Sequence, residues 1–368
     1  MKYVRMPIEI ESPEERGYGN IRFNLAESSV TDRPLSALKV DLSGIVLAYG
    51  DHRGHPPLRA EIAADGGIEP SQVLATAGAA GALFMIATTL LQPGDHLIVV
   101  RPNYATNLET PRAIGCEITL IDLAFEDSFA LNFERIAKAI RPNTKLISLT
   151  TPHNPTGTCL DLATLQGAAA LAAKAGCRLL VDETYRDMVF GAKLPLAATL
   201  GPQVISVSSV SKSYGIPGVR VGWIVNTDAV LMERFLAAKE QIGICGSMLD
   251  ETAAAAAVAD RHTFLPALQK RLAAGREIVA NWIAGETRME WVRPEGGCVC
   301  FPRIKASVAV DIERFYHALD ADFSVAVGPG HWFEMDRRFM RIGYGWPTEE
   351  ELKSGLAAIS SALDAAMA

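Results

Sequence analysis

The chain has 368 residues, room for about two to three domains or for one large α/β domain with a smaller companion. Its 42 acidic residues outweigh 35 basic ones, a formal net charge of −7 with no block of like charge, which argues against a nucleic-acid partner or an anionic membrane surface. With 49% hydrophobic and 21% charged residues it falls in the globular range, and no stretch approaches the roughly 18 consecutive apolar residues of a membrane-spanning helix.

The N-terminus is broken by charge and by Pro7 before an apolar run can form, so no signal peptide is expected and the expected location is cytoplasmic. Six cysteines (Cys116, Cys159, Cys177, Cys245, Cys298 and Cys300) are scattered without paired spacing, which predicts reduced thiols. Cys298 and Cys300 read as alternate residues on one face of a strand, with no second pair and no histidine at zinc-type spacing, so no metal site is expected.

In chain order, the apolar run Val73–Thr76 leads through Gly78 into a helical pattern carried by Leu83, Ile86, Ala87 and Leu90 and stopped by Pro93-Gly94. His96–Val100, Glu117–Asp122, Lys145–Thr150, Arg178–Asp182, Val204–Ser208 and Arg220–Val225 are further short strand-like runs, and Leu162–Ala175 is an Ala-rich helix between two of them. Strands alternating with helices predict an α/β fold built on a mostly parallel sheet covered on both faces. From about Glu251 the pattern changes to a long Ala-rich helix, apolar runs near Gly296–Ile304, and a final amphipathic helix. Thr348 and Glu351 form a capping box for that last helix, and Leu352, Leu356, Ile359 and Leu363 share one face. This tail predicts a smaller α+β unit packed against the first, since no flexible linker or repeat separates them.

Ligands of parallel sheets sit outside the carboxyl ends of the strands, so the residues that follow each run matter most. Lys145–Thr150 is followed by Thr151-Pro152-His153-Asn154-Pro155-Thr156-Gly157, and Leu179–Val181 by Asp182-Glu183-Thr184-Tyr185. After Val204–Val207 comes Ser208-Ser209-Val210-Ser211-Lys212, then Gly215-Ile216-Pro217-Gly218-Val219-Arg220, while the first run ends in Gly78-Ala79-Ala80-Gly81 at a helix start. An amide, a carboxylate with a phenol, a lysine, and an arginine beside main-chain N–H groups therefore converge on one edge. There is no Gly-x-Gly-x-x-Gly and no Gly-Lys-Ser/Thr, which weighs against nucleotide binding.

Taken together and in this order, Asn-Pro-x-Gly, Asp-x-x-Tyr and Ser-x-x-Lys followed by Gly-x-Pro-Gly-x-Arg resemble the fold-type I, pyridoxal-phosphate-dependent aminotransferases of class I/II, over about Tyr49 to Gly345. The resemblance implies pyridoxal 5′-phosphate as cofactor and amino acids and 2-oxo acids as substrates. It also implies a large cofactor domain over residues 40–250 and a small domain of residues 1–39 and 251–368. Lys212 would hold the cofactor as a Schiff base and act as base, its amine made reactive by burial. Asp182 would face the ring nitrogen and stabilise its protonated form. Tyr185 and Asn154 would bond the phenolic oxygen, and Tyr104 would stack on the ring. Gly78, Ala79 and Ala80 at the helix start, the Ser209 hydroxyl and Arg220 would hold the phosphate. Tyr49 would reach that phosphate from the neighbouring subunit of a homodimer, and Arg341 would clamp the substrate α-carboxylate with its planar fork.

Three positions depart from the family pattern. Ala80 offers only its main chain to the phosphate where a hydroxyl is common, and Asn107 replaces a second aromatic, predicting a more polar pocket wall. Near the N-terminus, Asn24–Ser29 stands in place of a Gly-rich substrate loop, and Glu27 in it is a candidate partner for a cationic substrate side chain. Gly330–Phe333 is expected near Arg341, with Trp332 shaping the same pocket. The implied reaction is transamination by a ping-pong route, the alternative being lyase, decarboxylase or oxidative deaminase chemistry on the same fold.

Overall fold

The computed structural model describes residues 1–367. Seven strands form one sheet: β1 (Val73–Thr76), β2 (His96–Arg101), β3 (Glu117–Asp122), β4 (Thr144–Thr150), β5 (Arg178–Asp182), β6 (Val204–Ser209) and β7 (Gly222–Val225). Their spatial order is β1-β7-β6-β5-β4-β2-β3. Only β7 runs antiparallel to its neighbours, so the sheet is mixed but mostly parallel. The short Val/Ile/Leu runs form strands because both faces are covered and nearly every position in the middle strands is buried.

On one face lie α1 (Gly78–Leu90) and, further along the chain, Ala229–Gly243, packing Leu83, Ile86 and Phe235 against Leu97, Leu180 and Ile205. On the other lies α2 (Leu162–Ala175), which buries Leu165, Ala168, Ala169 and Ala172. The bounds of α2 are set locally: the Asp161 side chain accepts from the Thr164 N–H at 2.7 Å, and Gly176 closes the helix in the left-handed conformation at φ 67°. Burying three alanines and a leucine on such a helix lets it sit close to the sheet, and each buried methylene is worth about 0.8 kcal/mol.

The strand read as Arg220–Val225 begins only at Gly222, because Arg220 sits in a left-handed turn at φ 53°. The long helix read from Glu251 is two helices, Met248–Ala259 and Arg261–Gly285, parted at Asp260, which caps the end of the first and the start of the second. The first packs its Ala253, Ala254 and Ala257 against Leu58 and Ile62 of the helix Pro56–Gly66. A second core gathers Leu272, Val299, Phe315 and Ile342 around the last helix, Glu349–Met367. There Thr348 N–H donates to Glu351 at 2.8 Å and Glu351 N–H returns to the Thr348 hydroxyl at 3.2 Å, with Leu352, Leu356, Ile359 and Leu363 buried. Three short antiparallel strands, β8 (Val299–Cys300), β9 (Gly328–Pro329) and β10 (Met340–Gly343), bring Arg341 toward the large sheet. All six cysteines are free thiols, with Cys298 and Cys300 buried in this core. Among the described residues no helix is long and apolar enough to cross a membrane.

The first residues do more than the sequence pattern suggests. Two single-turn helices, Pro7–Ile10 and Pro13–Arg16, lead to Phe23–Asn24, which pairs in parallel with Val325–Ala326. From there residues 26–28 cross toward the carboxyl edge of the large sheet.

Candidate active site

Register decides where the chemistry collects. Thr150 of β4 lies beside Asp182 of β5, and Asp182 beside Val207 of β6, so the loops after these strands leave one edge at one level. They form the floor of a cavity of about 290 Å³ lined by Asn154, Asp182, Tyr185, Ser209, Lys212 and Arg220. Its roof is made by Arg341 and Trp332 from the C-terminal half and by Ile8, Glu9, Ser12–Glu14 and Ala26–Ser28 from the N-terminal segment.

At the floor, Asp182 is 6% exposed and its Oδ1 accepts from the Thr184 N–H at 3.0 Å and the Thr184 hydroxyl at 2.6 Å. Burial pushes its carboxyl above the usual range, while the two Thr184 bonds and the Lys212 charge pull it back. A cation held against it would keep it ionised. Burial pulls the Lys212 ammonium below its ordinary range, opposed in part by the Glu27 carboxylate. Its Nζ donates to Ser28 Oγ at 3.2 Å.

Arg341 reaches across from β10. Its Nη2 donates to the Ala26 carbonyl at 2.7 Å and its Nη1 to Asn154 Oδ1 at 3.2 Å, while the buried Nε has no partner. A guanidinium only 4% exposed, with a donor left unsatisfied, is an incomplete arrangement that a carboxylate in the cavity would complete. The Phe333 ring lies 5.2 Å from its charged carbon and Trp332 at 5.9 Å, so Gly330–Phe333 does stand beside Arg341.

At the other end of the cavity α1 points its N-terminus inward, with Ala79 and Ala80 on the lining. Gly78 has φ 70°, and a Cβ there would come 2.6 Å from Arg220 Nη2. Gly222 is equally constrained, since its Cβ would stand 2.5 Å from the Gly78 carbonyl carbon. Glycine at both positions lets β7 and Arg220 close onto the helix start. Main-chain N–H groups, the Ser209 hydroxyl and a guanidinium thus surround one spot, the donor set of a dianionic phosphate. With a buried carboxylate and a buried amine beyond it, the lining fits pyridoxal phosphate.

Several candidates stand differently from their sequence-based roles. The Tyr185 hydroxyl, expected on the cofactor ring, donates to the Ser28 carbonyl at 2.9 Å, and the Asn154 oxygen is engaged by Arg341. Tyr104 lines the cavity, and burial raises its phenol pKa. Tyr49 is 81% exposed and is absent from the lining. Asn107 corrects an expectation: it is not on the lining of this cavity, because its amide is buried between Asn103, which accepts at 3.1 Å, and the Ser148 hydroxyl, which donates at 3.3 Å. Trp332 turns its indole N–H to Glu11 at 2.7 Å. Glu27 does line the cavity, hydrogen-bonded by the Tyr18 hydroxyl at 3.1 Å.

Sequence reasoning missed Ser28, Thr184, Glu9, Ser12 and Glu14 as lining residues. The N-terminal three had one legible signal, Pro7 and Pro13 at first helical positions with Ser12 capping the second turn at 3.4 Å. Helices of four residues are too short to show a period.

The description "aminotransferase class I and II" fits residues 22–359 of the chain. Capreomycidine synthase of Streptomyces vinaceus is 31% identical over 327 residues, 88% of this chain and 82% of that protein. Arginine–pyruvate transaminase of Pseudomonas aeruginosa is 30% identical over 262 residues, 68% of this chain and 65% of that protein. The crystal structure of a PLP-dependent aminotransferase from Streptococcus suis superposes with a TM-score of 0.90 at 28% identity, covering 99% of this chain and 98% of that one.

Proposed function

This chain belongs to the class I and II aminotransferases, enzymes that use pyridoxal phosphate, and on that premise we propose that it moves an amino group from an amino acid to a 2-oxo acid by a ping-pong route. When bound, pyridoxal phosphate supplies an aldehyde that an amine can hold covalently and a ring that withdraws electrons from the substrate Cα. Everything else is the work of the chain's own groups. The buried Lys212 amine, its proton loosened by desolvation, takes the Cα proton and returns it. Asp182, oriented by Thr184, would hold positive charge at the ring nitrogen. Tyr185 and Asn154, released from the Ser28 carbonyl and from Arg341, would hydrogen-bond the ring's oxygen, Tyr104 would cover the ring, and Gly78, Ala79, Ala80, Ser209 and Arg220 would hold the phosphate. Arg341 takes the α-carboxylate and so sets which bond of Cα faces Lys212.

The observation that carries this reading is the pairing of a buried amine with a buried, incompletely bonded guanidinium across one cavity. It is tested by mixing the cofactor-loaded protein with amino acids in the absence of any 2-oxo acid. Transamination yields one equivalent of 2-oxo acid and pyridoxamine phosphate without ammonia; continuous ammonia release with the pyridoxal form retained overturns it. That second outcome fits the rival reading, elimination on the same fold, in which the amino nitrogen leaves as ammonia; one relative bears the name of a synthase, not a transaminase.

The proposal extends to a cytoplasmic homodimer. Val46 and Leu47, with Tyr49, stand 77%, 76% and 81% exposed on a loop whose Gly50 lies beside Met248, the first residue of Met248–Ala259, and Ile244 shortly before that helix is also exposed. A second copy covering this apolar patch would bring Tyr49 to the neighbouring phosphate site. We draw the passage between the two domains at Asp260 instead of residue 250, since Met248–Ala259 shares the core of Pro56–Gly66.

A further inference from the structure

The cavity's charges do not balance once the ligands of the proposed reaction are counted, and the surplus is on one side. Three basic side chains line it, Lys212, Arg220 and Arg341. The phosphate accounts for Arg220, the α-carboxylate for Arg341, and the bond to the cofactor for Lys212. Four carboxylates line it, and Asp182 is matched by the ring nitrogen. Glu9, Glu14 and Glu27 remain. The neighbouring basic groups of the roof are committed elsewhere: Arg5 to Glu15, Arg16 to Asp320, His331 to Glu11. Among the described residues the only side-chain bond to Glu27 is the Tyr18 hydroxyl.

The path of residues 26–28 places this surplus relative to the substrate. The Ala26 carbonyl accepts from Arg341 and the Ser28 hydroxyl from Lys212, at 2.7 and 3.2 Å. Glu27 stands between the residue that touches the carboxylate anchor and the residue that touches the amine. With the carboxylate on Arg341, whose unpartnered Nε awaits it, and the amino nitrogen near Lys212, the substituent of Cα left to meet the 26–28 segment is the side chain. Glu14 adds its charge close to Glu27, and Glu9 lies on the same roof, one single-turn helix earlier.

We propose that the cavity selects amino acids whose side chain ends in a cation, guanidinium or ammonium, with Glu27 as its principal partner and Glu14 as a second carboxylate further out. This rests on the reading of the site as an amino-acid site of a pyridoxal-phosphate enzyme. Glu27 here determines specificity; it holds no reacting atom.

Binding separates the two readings. Calorimetry on cofactor-loaded Lys212→Ala compares arginine with citrulline, its neutral isostere, and ornithine with norvaline. Arginine and ornithine should bind about ten- to a hundredfold tighter than their neutral counterparts, the range of a hydrogen bond to a charged group. Glu27→Gln in that background should shrink the arginine-to-citrulline ratio about tenfold, and Glu14→Gln by less. Equal affinity for charged and neutral members overturns the proposal, as does a ratio unchanged in both variants. Preference for the cations without any turnover by the native enzyme would sink the transamination reading and leave this one standing. A gain for arginine and none for ornithine would assign the site to guanidinium.

Discussion

The floor and the roof of the cavity are built on different principles. Floor residues hang from the ends of buried parallel strands, where register holds Thr150, Asp182 and Val207 level and local bonds such as Thr184 to Asp182 lock rotamers. The N-terminal part of the roof is two helices of four residues and a crossing strand of two, held to the body by a few polar contacts: Glu11 to His331 and Trp332, Arg16 to Asp320, and main-chain bonds of Phe23 and Leu25 to Ser324 and Ala326. A rigid floor suits chemistry that tolerates little misplacement. A roof held by a few polar contacts can change its side chains without disturbing the sheet, which is where substrate choice is expected to vary.

Breaking the floor should cost most. Lys212→Ala is expected to lower kcat by about 10⁴-fold or more, read as single-turnover conversion of amino acid, because it removes both the covalent anchor and the base. A loss under tenfold would show that another group moves the proton. Arg341→Lys probes the junction of the two regions, where a point charge replaces a planar fork. It should lower kcat/KM by about a hundredfold, mostly through KM, since a buried carboxylate would lose one of its two parallel bonds. An unchanged KM would remove Arg341 from the substrate.

The roof should respond more gently. Glu11→Ala releases the ties to His331 and Trp332, at 2.9 and 2.7 Å, and is expected to raise KM about two- to tenfold while kcat stays nearly constant. Faster proteolysis before Phe23 would accompany it; a fall in kcat equal to that of a floor variant would erase the distinction. The smallest effect concerns stability. Burial raises the Glu27 carboxyl above the usual range, with Glu14 adding to the rise and Lys212, Arg341 and the Tyr18 hydroxyl opposing it. A folded state that holds this proton more tightly than the unfolded chain loses stability as pH climbs through the gap between the two values. In the cofactor-free protein, Glu27→Gln should therefore gain about a degree or two in Tm at neutral pH relative to acid pH, measured by calorimetry. A Tm loss at neutral pH would mean that Glu27 is held in a stabilising network.

Much of the floor was legible beforehand because it depends on contiguous residues. The bounds Glu117–Asp122, Arg178–Asp182 and Leu162–Ala175 follow from apolar runs and from caps at Asp161 and Gly176, which are local. The lining by Lys212, Asp182 and Arg220 followed from short motifs placed after such runs. Arg341 was legible only through family likeness, since its cavity position depends on the pairing of Met340–Gly343 with strands distant in sequence. Asn107 misled because its position on a helix facing the sheet, bonded to Asn103 and Ser148, depends on helix rotation that one residue type does not reveal.

Local chemistry was sufficient for the strand and helix signals, for the order of the polar strand ends, and for the presence of an amine, a carboxylate and an arginine along one edge. Assembly alone put residues 8–14 and 26–28 over that edge, interrupted the Ala-rich helix at Asp260, and set Glu27 between the contacts of Arg341 and Lys212. The physical reason is range: periodicity and capping act over one or two turns, whereas the contacts that built the roof join residues some 180 to 320 positions apart, such as Lys212 to Ser28 and Trp332 to Glu11. Such closures depend on which buried surfaces meet, and no segment encodes them alone.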